Sequence, residues 1–135
     1  MRSEMDGYSA AVSATQVNQT LMTFQERETL TRIVGNIAAA NDAGAVAIIW
    51  TLALVRKNAN NPVLSTTSLS LTGRDSEVIL AQGMFIFDGV GSEIIKVDVK
   101  GQRKVYEGDD LKFSVRGSVA SGTVGYSLKT FVKES

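Results

Sequence analysis

The chain contains no cysteine and no histidine, and a single proline in 135 residues. Without cysteine there are no disulfides, thiolate zinc sites or cysteine nucleophiles, and the redox compartment leaves no mark on the sequence. Without histidine, the usual general base near neutral pH, the commonest metal ligand and every Ser-His or Cys-His arrangement are gone. Carboxylate, lysine and tyrosine chemistry remain, but no spaced carboxylate pair stands out. The expectation is a protein that is not an enzyme and needs no cofactor. An excess of one charge is missing too. Fourteen basic residues balance fourteen acidic ones, where a dedicated nucleic-acid binder carries a visible basic surplus. The longest apolar stretch, Ala43 to Val55, falls short of the roughly 18–20 residues a helix needs to cross a bilayer. Met1 to Ala14 lacks a basic segment followed by an apolar one, so it does not read as a signal peptide. A soluble chain with no membrane partner is expected.

What is present suits one folded domain. Hydrophobic residues make up 44% and charged residues 21%, ordinary globular proportions that argue against wholesale disorder. The length fits one domain with one core. Residues 1–16, rich in Ser, Ala, Thr and Gln, are expected to form an extended N-terminal arm, with the domain proper spanning 17–135.

Strand patterning runs along that domain. Val17 to Phe24 is a candidate first strand, and Thr29 to Ala40 a second by its β-branched content, although Ala38-Ala39-Ala40 also suits a helix. After the Asn41-Asp42-Ala43-Gly44 turn, Ala45 to Val55 is apolar on both alternating faces. A buried helix competes there, but the Ile, Val, Trp and Thr content and the stop at Arg56-Lys57-Asn58 favour a central strand. Val63 to Gly73 reads as a loop with a short strand around Leu69-Ser70-Leu71. Glu77 to Asp88 and a long or broken strand from Ile94 to Tyr106, interrupted near Gly101, follow. Leu111, Phe113 and Val115 then alternate with Lys112, Ser114 and Arg116. Val124, Tyr126, Leu128 and Val132 alternate with Ser127, Lys129 and Lys133, with Phe131 breaking the polar side. Period-2 alternation with one wet face marks antiparallel sheet. About seven or eight strands between Gly, Asn and Asp turns predict an all-β sandwich or barrel.

The segment Lys96-Val97-Asp98-Val99-Lys100-Gly101-Gln102-Arg103-Lys104-Val105, then an acidic turn and Leu111-Lys112-Phe113-Ser114-Val115, resembles the C-terminal half of single jelly-roll capsid proteins. Those are the coat proteins of small circular single-stranded DNA viruses and related small RNA viruses. Thr29-Leu30-Thr31-Arg32-Ile33-Val34-Gly35-Asn36-Ile37 resembles an early strand of the same group. The resemblance, running from about Val17 to Lys133, implies an eight-stranded antiparallel jelly roll whose copies build an icosahedral shell. The partner it implies is the chain itself, on the order of 60 copies or a multiple, in closed symmetry. A virion location and packaged single-stranded nucleic acid follow from it. One stretch departs from the group, whose members begin with a basic run. Met1 to Glu28 holds Arg2 and Arg27 against Glu4, Asp6, Glu26 and Glu28, a net of 2 − 4 = −2. Such an arm lies outside this stretch, or genome contact is made elsewhere, or the chain is a shell or decoration protein without cargo.

Three residue groups are candidate sites. In an extended chain Lys96, Asp98, Lys100, Gln102 and Lys104 share one face, with Arg103 on the other. Lys96, Lys100, Lys104 and Arg103 are therefore a candidate phosphate contact, against the ordinary reading of a solvated sheet face. Glu107, Asp109 and Asp110 are a candidate calcium site, against a plain turn, and they lack the spacing of an EF-hand. Trp50 with Phe85 and Phe87 offers a ligand platform, against a core role that suits its apolar surroundings better. The competing function is a jelly-roll binding module, such as a phage decoration or a carbohydrate- or receptor-binding domain.

Overall fold

The computed structural model describes residues 2–56 and 76–134. They form eight strands: β1 (Arg2–Ala11), β2 (Val17–Thr23), β3 (Glu28–Asn41), β4 (Val46–Arg56), β5 (Ser76–Phe87), β6 (Gly91–Val105), β7 (Asp110–Gly117) and β8 (Thr123–Glu134). No helix occurs among the described residues. Two four-stranded antiparallel sheets result, ordered β1-β8-β3-β6 and β2-β7-β4-β5. Consecutive strands alternate between the two sheets except at the β4–β5 hairpin, which is the double Greek key of a jelly roll. The expected short strand around Leu69–Leu71 lies outside the described residues.

The core is the sum of the inward alternations. Ile33 and Ile37 of β3, Ile48, Trp50 and Leu52 of β4, Phe85 of β5, Phe113 of β7 and Leu128 of β8 are all buried. Phe113 sits at the centre, its ring 4.9 Å from Tyr126, 6.4 Å from Tyr8 and 6.4 Å from Trp50. The rival helix at Ala45–Val55 loses because β4 lies between β5 and β7, so both its edges are hydrogen-bonded. Trp50 lies opposite Gly83, where a Cβ would stand 2.8 Å from the indole. In β3 the inward spacing slips from Leu30 to Ile33 because a bulge lies between Leu30 and Arg32. That bulge keeps a long strand in register with two neighbours.

The N-terminal arm is a correction. Residues 2–11 are extended as expected, but they pair with β8 along their whole length, so the sandwich begins at Arg2 rather than at residue 17. β1 is an edge strand, and most of its side chains face solvent. It therefore needs little apolar alternation and gives a weak signal in the sequence. Its side chains still anchor it. Arg2 donates to both carboxylate oxygens of the buried Glu28, at 3.0 and 2.5 Å, and the Tyr126 hydroxyl donates to Asp6 at 2.6 Å. β6 is also continuous through Gly101, not broken there.

Buried Asn41 ties together one end of the sandwich. The two hydrogens on its Nδ2 are shared among the carbonyls of Ala43, Gly44 and Gly89, while its Oδ1 accepts from Ser121 Oγ at 2.6 Å. One amide thus joins the β3–β4, β5–β6 and β7–β8 turns.

Candidate nucleic-acid interface

The lysines of β6 gain company from the strand order. Because β3 lies between β6 and β8, outward residues line up in rows across three strands. The rows read Lys104–Thr29–Lys133, Lys100–Arg32–Phe131, Asp98–Val34–Lys129 and Lys96–Asn36–Ser127. Six cations (Arg32, Lys96, Lys100, Lys104, Lys129 and Lys133) therefore share this half of the face with one acid, Asp98. Among the described residues the net is 6 − 1 = +5. A chain of zero net charge has concentrated its positive charge on one sheet face.

Asp98 organises the middle of the patch. Arg32 donates Nε to Oδ1 and Nη2 to Oδ2, both at 2.9 Å, and Lys100 Nζ stands 3.8 Å from Oδ2. The hydrogen bonds from Arg32, more than the charge of Lys100, hold the Asp98 carboxyl below the usual carboxylate range. Phe131 lies in the Arg32 row with the Lys129 ammonium 5.3 Å from its ring, so an aromatic face is interleaved with the cations. That combination suits single-stranded nucleic acid, whose phosphates and base faces lie within reach together.

Arg103 stands apart. It pairs with inward-facing Leu30, which turns it toward the rim of the sandwich, while Lys96, Lys100 and Lys104 point outward. Sequence alternation alone identifies the β6 lysines. Lys129, Lys133 and Arg32 are added only by the strand order, through contacts roughly 60 to 100 residues apart in sequence. Applying the 8-3-6 order of a jelly roll to the outward positions would have found them.

The acidic turn is put to other use, which corrects the calcium expectation. Asp109 is buried. Its Oδ2 accepts from the Tyr106 N–H at 2.9 Å and from Arg56 Nε at 3.4 Å. Asp110 Oδ1 accepts from Thr23 Oγ1 at 2.6 Å, and Glu107 is exposed. Among the described residues no three acidic side chains converge on a common point. The carboxylates close the β6–β7 turn against Arg56 and β2.

Trp50, Phe85 and Phe87 are core residues. Trp50 nevertheless lines a groove of about 510 Å³ between the open edges of β5 and β6, with Leu80, Val97 and Lys96. Its indole N–H is buried and finds no acceptor among the described residues.

No family model matches the chain, and no curated protein does. Among solved structures, a chain from the structure of infectious bursal disease virus Gt strain aligns at 14% identity with a TM-score of 0.28. It covers 98% of this chain and 37% of that one. A chain of the Gx strain aligns at 12% identity and a TM-score of 0.29, covering 97% and 40%. A TM-score below 0.5 does not establish a shared fold, and this chain spans well under half of either.

Proposed function

We propose that the chain is a structural capsid subunit that assembles with copies of itself into a closed viral shell, and that it is not an enzyme. The observation that carries this reading is the strand order, β1-β8-β3-β6 over β2-β7-β4-β5, in a chain with no histidine or cysteine. A fold alone assigns no activity, because jelly rolls also serve as lectins and enzymes. The surface therefore has to carry the rest. A sheet face of net +5 turned toward a shell's interior holds single-stranded nucleic acid through Lys96, Lys100 and Lys104, with Lys129 and Lys133 beside them. Each phosphate contact contributes roughly −0.7 to the slope of log affinity against log salt. Five lysines thus give about −3.5 per subunit. Cargo held this way is released by salt.

The test is negative-stain microscopy of the purified protein with the 260/280 nm absorbance ratio of the particles. Uniform spheres that lose nucleic acid before about 1 M salt, where screening reaches about 3 Å, are expected. A protein that stays monomeric across pH and salt defeats the reading.

One observation favours a second reading, a binding module. The groove beside Trp50 offers an apolar floor and a rim of Lys96, Asp98 and Lys100. A carbohydrate presents an apolar ring face with hydroxyl acceptors and fits that description. Saturable quenching of the single tryptophan by an oligosaccharide, from a protein that forms no particles, would favour it.

A further inference from the structure

Each sheet ends in two edge strands, and natural edges are blunted against a second chain by charge, bulges or short length. Three of the four edges follow that rule. β1 carries Arg2, Glu4 and Asp6, β6 carries Lys96, Asp98 and Lys100, and β2 has seven residues and a bulge between Thr20 and Met22. β5 does not. From Val78 to Phe87 it has neither a charge nor a proline, and from Ala81 to Phe87 its register against β4 is unbroken. Among the described residues it pairs with β4 alone. On its outer side Ile86 is 68% exposed and Met84 52%. A regular, uncharged, apolar edge is a template that another strand completes.

Resting on the shell reading, we infer that this strand is β5 of a second copy, paired antiparallel about a two-fold axis through Met84. The stretch Ala81–Phe87 is complementary to itself in that register. On its core side the first half is small, Ala81 and Gly83, and the second half large, Phe85 and Phe87. The axis therefore sets Phe85 against Gly83 and Phe87 against Ala81. Opposed side chains in such a pair have their Cβ atoms about 4.5–5.5 Å apart, and an aromatic ring across from an edge glycine covers the backbone that the glycine leaves bare. Gly83 is held small by Trp50, whose indole lies 2.8 Å from where a Cβ would stand. On the outer face Met84 meets Met84 and Ile86 meets Gln82, while Asp88 falls opposite Leu80. No like charges oppose each other. Moving the axis by one residue opposes Gly83 to Gly83 or Phe85 to Phe85, and the match is lost. The occupant is a second copy because one short stretch carries both the small and the large half.

An axis normal to the sheet leaves the first sheets of both copies on the same side. Their basic faces then turn to one surface of the shell, as cargo binding requires. The contact is isologous, so it closes in a pair and needs other surfaces to extend the shell. A single strand pair holds weakly by itself and gains strength from closure of the particle.

The chain has no cysteine, so single introduced cysteines report the register directly. Opposed Cα atoms of an antiparallel pair lie about 4.5–5.5 Å apart, within the span of a disulfide. Under mild oxidation of the full chain, Met84→Cys gives a covalent pair. Gln82→Cys and Ile86→Cys each give none alone, but cross-link when mixed. Cross-linking at 82 or 86 alone as fast as at 84 overturns the register. Sedimentation supplies a second arm, with the fold of each variant checked by circular dichroism. Met84→Lys and Met84→Glu each need about tenfold or more protein to associate, the loss expected at the centre of an interface. Mixed together they associate again, because opposite charges now meet at the axis. A mixture no better than either variant alone overturns the axis at Met84. Wild-type particles without a Met84→Cys cross-link overturn the pairing and leave the shell reading standing. Cross-linked pairs that never build particles uphold the pairing and remove the shell reading. Neither particles nor cross-link removes both.

Discussion

The two outer faces of the sandwich differ far more than the two inner ones. Inside, both sheets present the same material, Ile, Leu, Val and aromatic residues meeting around Phe113. Outside, the first sheet gathers six cations around one carboxylate, and the second exposes Ile49, Met84 and Ile86. The inward set needs only volume and hydrophobicity to specify the fold. The outward set is free of that demand, so the cations gathered on the first face, and the apolar side chains left bare on both (Ile94 and Met5 on the first, Ile86, Met84 and Ile49 on the second), call for a use. The comparison also separates stability from function by position.

The sharpest way to break that separation is through the centre of the core. Phe113→Ala should cost about 3–5 kcal/mol, the range for emptying a fully buried aromatic site. The outward Phe131→Ala should cost under about 1 kcal/mol, its ring being half covered and flanked by Lys129. Urea unfolding of the two variants measures the ratio. Similar losses would mean that the outer face is also structural.

Asn41→Ala comes next. It removes an amide that satisfies three backbone carbonyls and one hydroxyl. Its partners lie in exposed or half-buried turns and regain water, so about 1–2 kcal/mol is expected, mostly from lost hydrogen bonds to the buried amide. Hydrogen exchange should show the loss concentrated in the β3–β4, β5–β6 and β7–β8 turns. A uniform loss across the sandwich would show that Asn41 is not a local clamp.

How much of this was legible in the sequence depends on the range of the interaction. β7 and β8 stood out because inward and outward positions alternate along one strand, a local signal. β4 was identified as a central strand because both its faces are apolar. β1 was not, since Arg2, Glu4 and Asp6 occupy positions that an edge strand leaves open to water, and its place is set by pairing with β8. The β6 lysines could be grouped because they alternate. Arg32, Lys129 and Lys133 join them only through pairing across distant parts of the chain. The acids at Glu107, Asp109 and Asp110 misled because composition does not say which way a side chain turns. Asp109 turns inward to Arg56.

A third prediction sharpens the contrast between the faces. Replacing Lys96, Lys100, Lys104, Lys129 and Lys133 by Gln should reduce the slope of log affinity for single-stranded DNA against log salt by about 3.5. Replacing Lys112 and Arg116 on the second sheet should leave it within about 1. Filter binding over a salt series measures both. Equal losses from the two faces would mean that nucleic acid is bound without regard to the sheet.

The smallest effect expected is at Asp98, and its sign is informative. Arg32 holds the folded carboxyl below its ordinary value. The pair's contribution is therefore present in full above the unfolded pKa of about 3.9 and is lost as pH falls through the folded value. Both partners are exposed, so the effect on stability is slight. Its effect on the face is larger. Protonating Asp98, or replacing it by Asn, removes the one acid among six cations and releases the Arg32 guanidinium for phosphate. Asp98→Asn should therefore bind single-stranded DNA more tightly at neutral pH and steepen the salt slope by roughly 0.7, one further contact. The wild type should approach that behaviour only below the ordinary carboxylate range. NMR titration of the Asp98 carboxyl, read beside binding measurements at each pH, tests the link. If the variant binds no better than wild type, Arg32 is held for the sheet and not for a ligand.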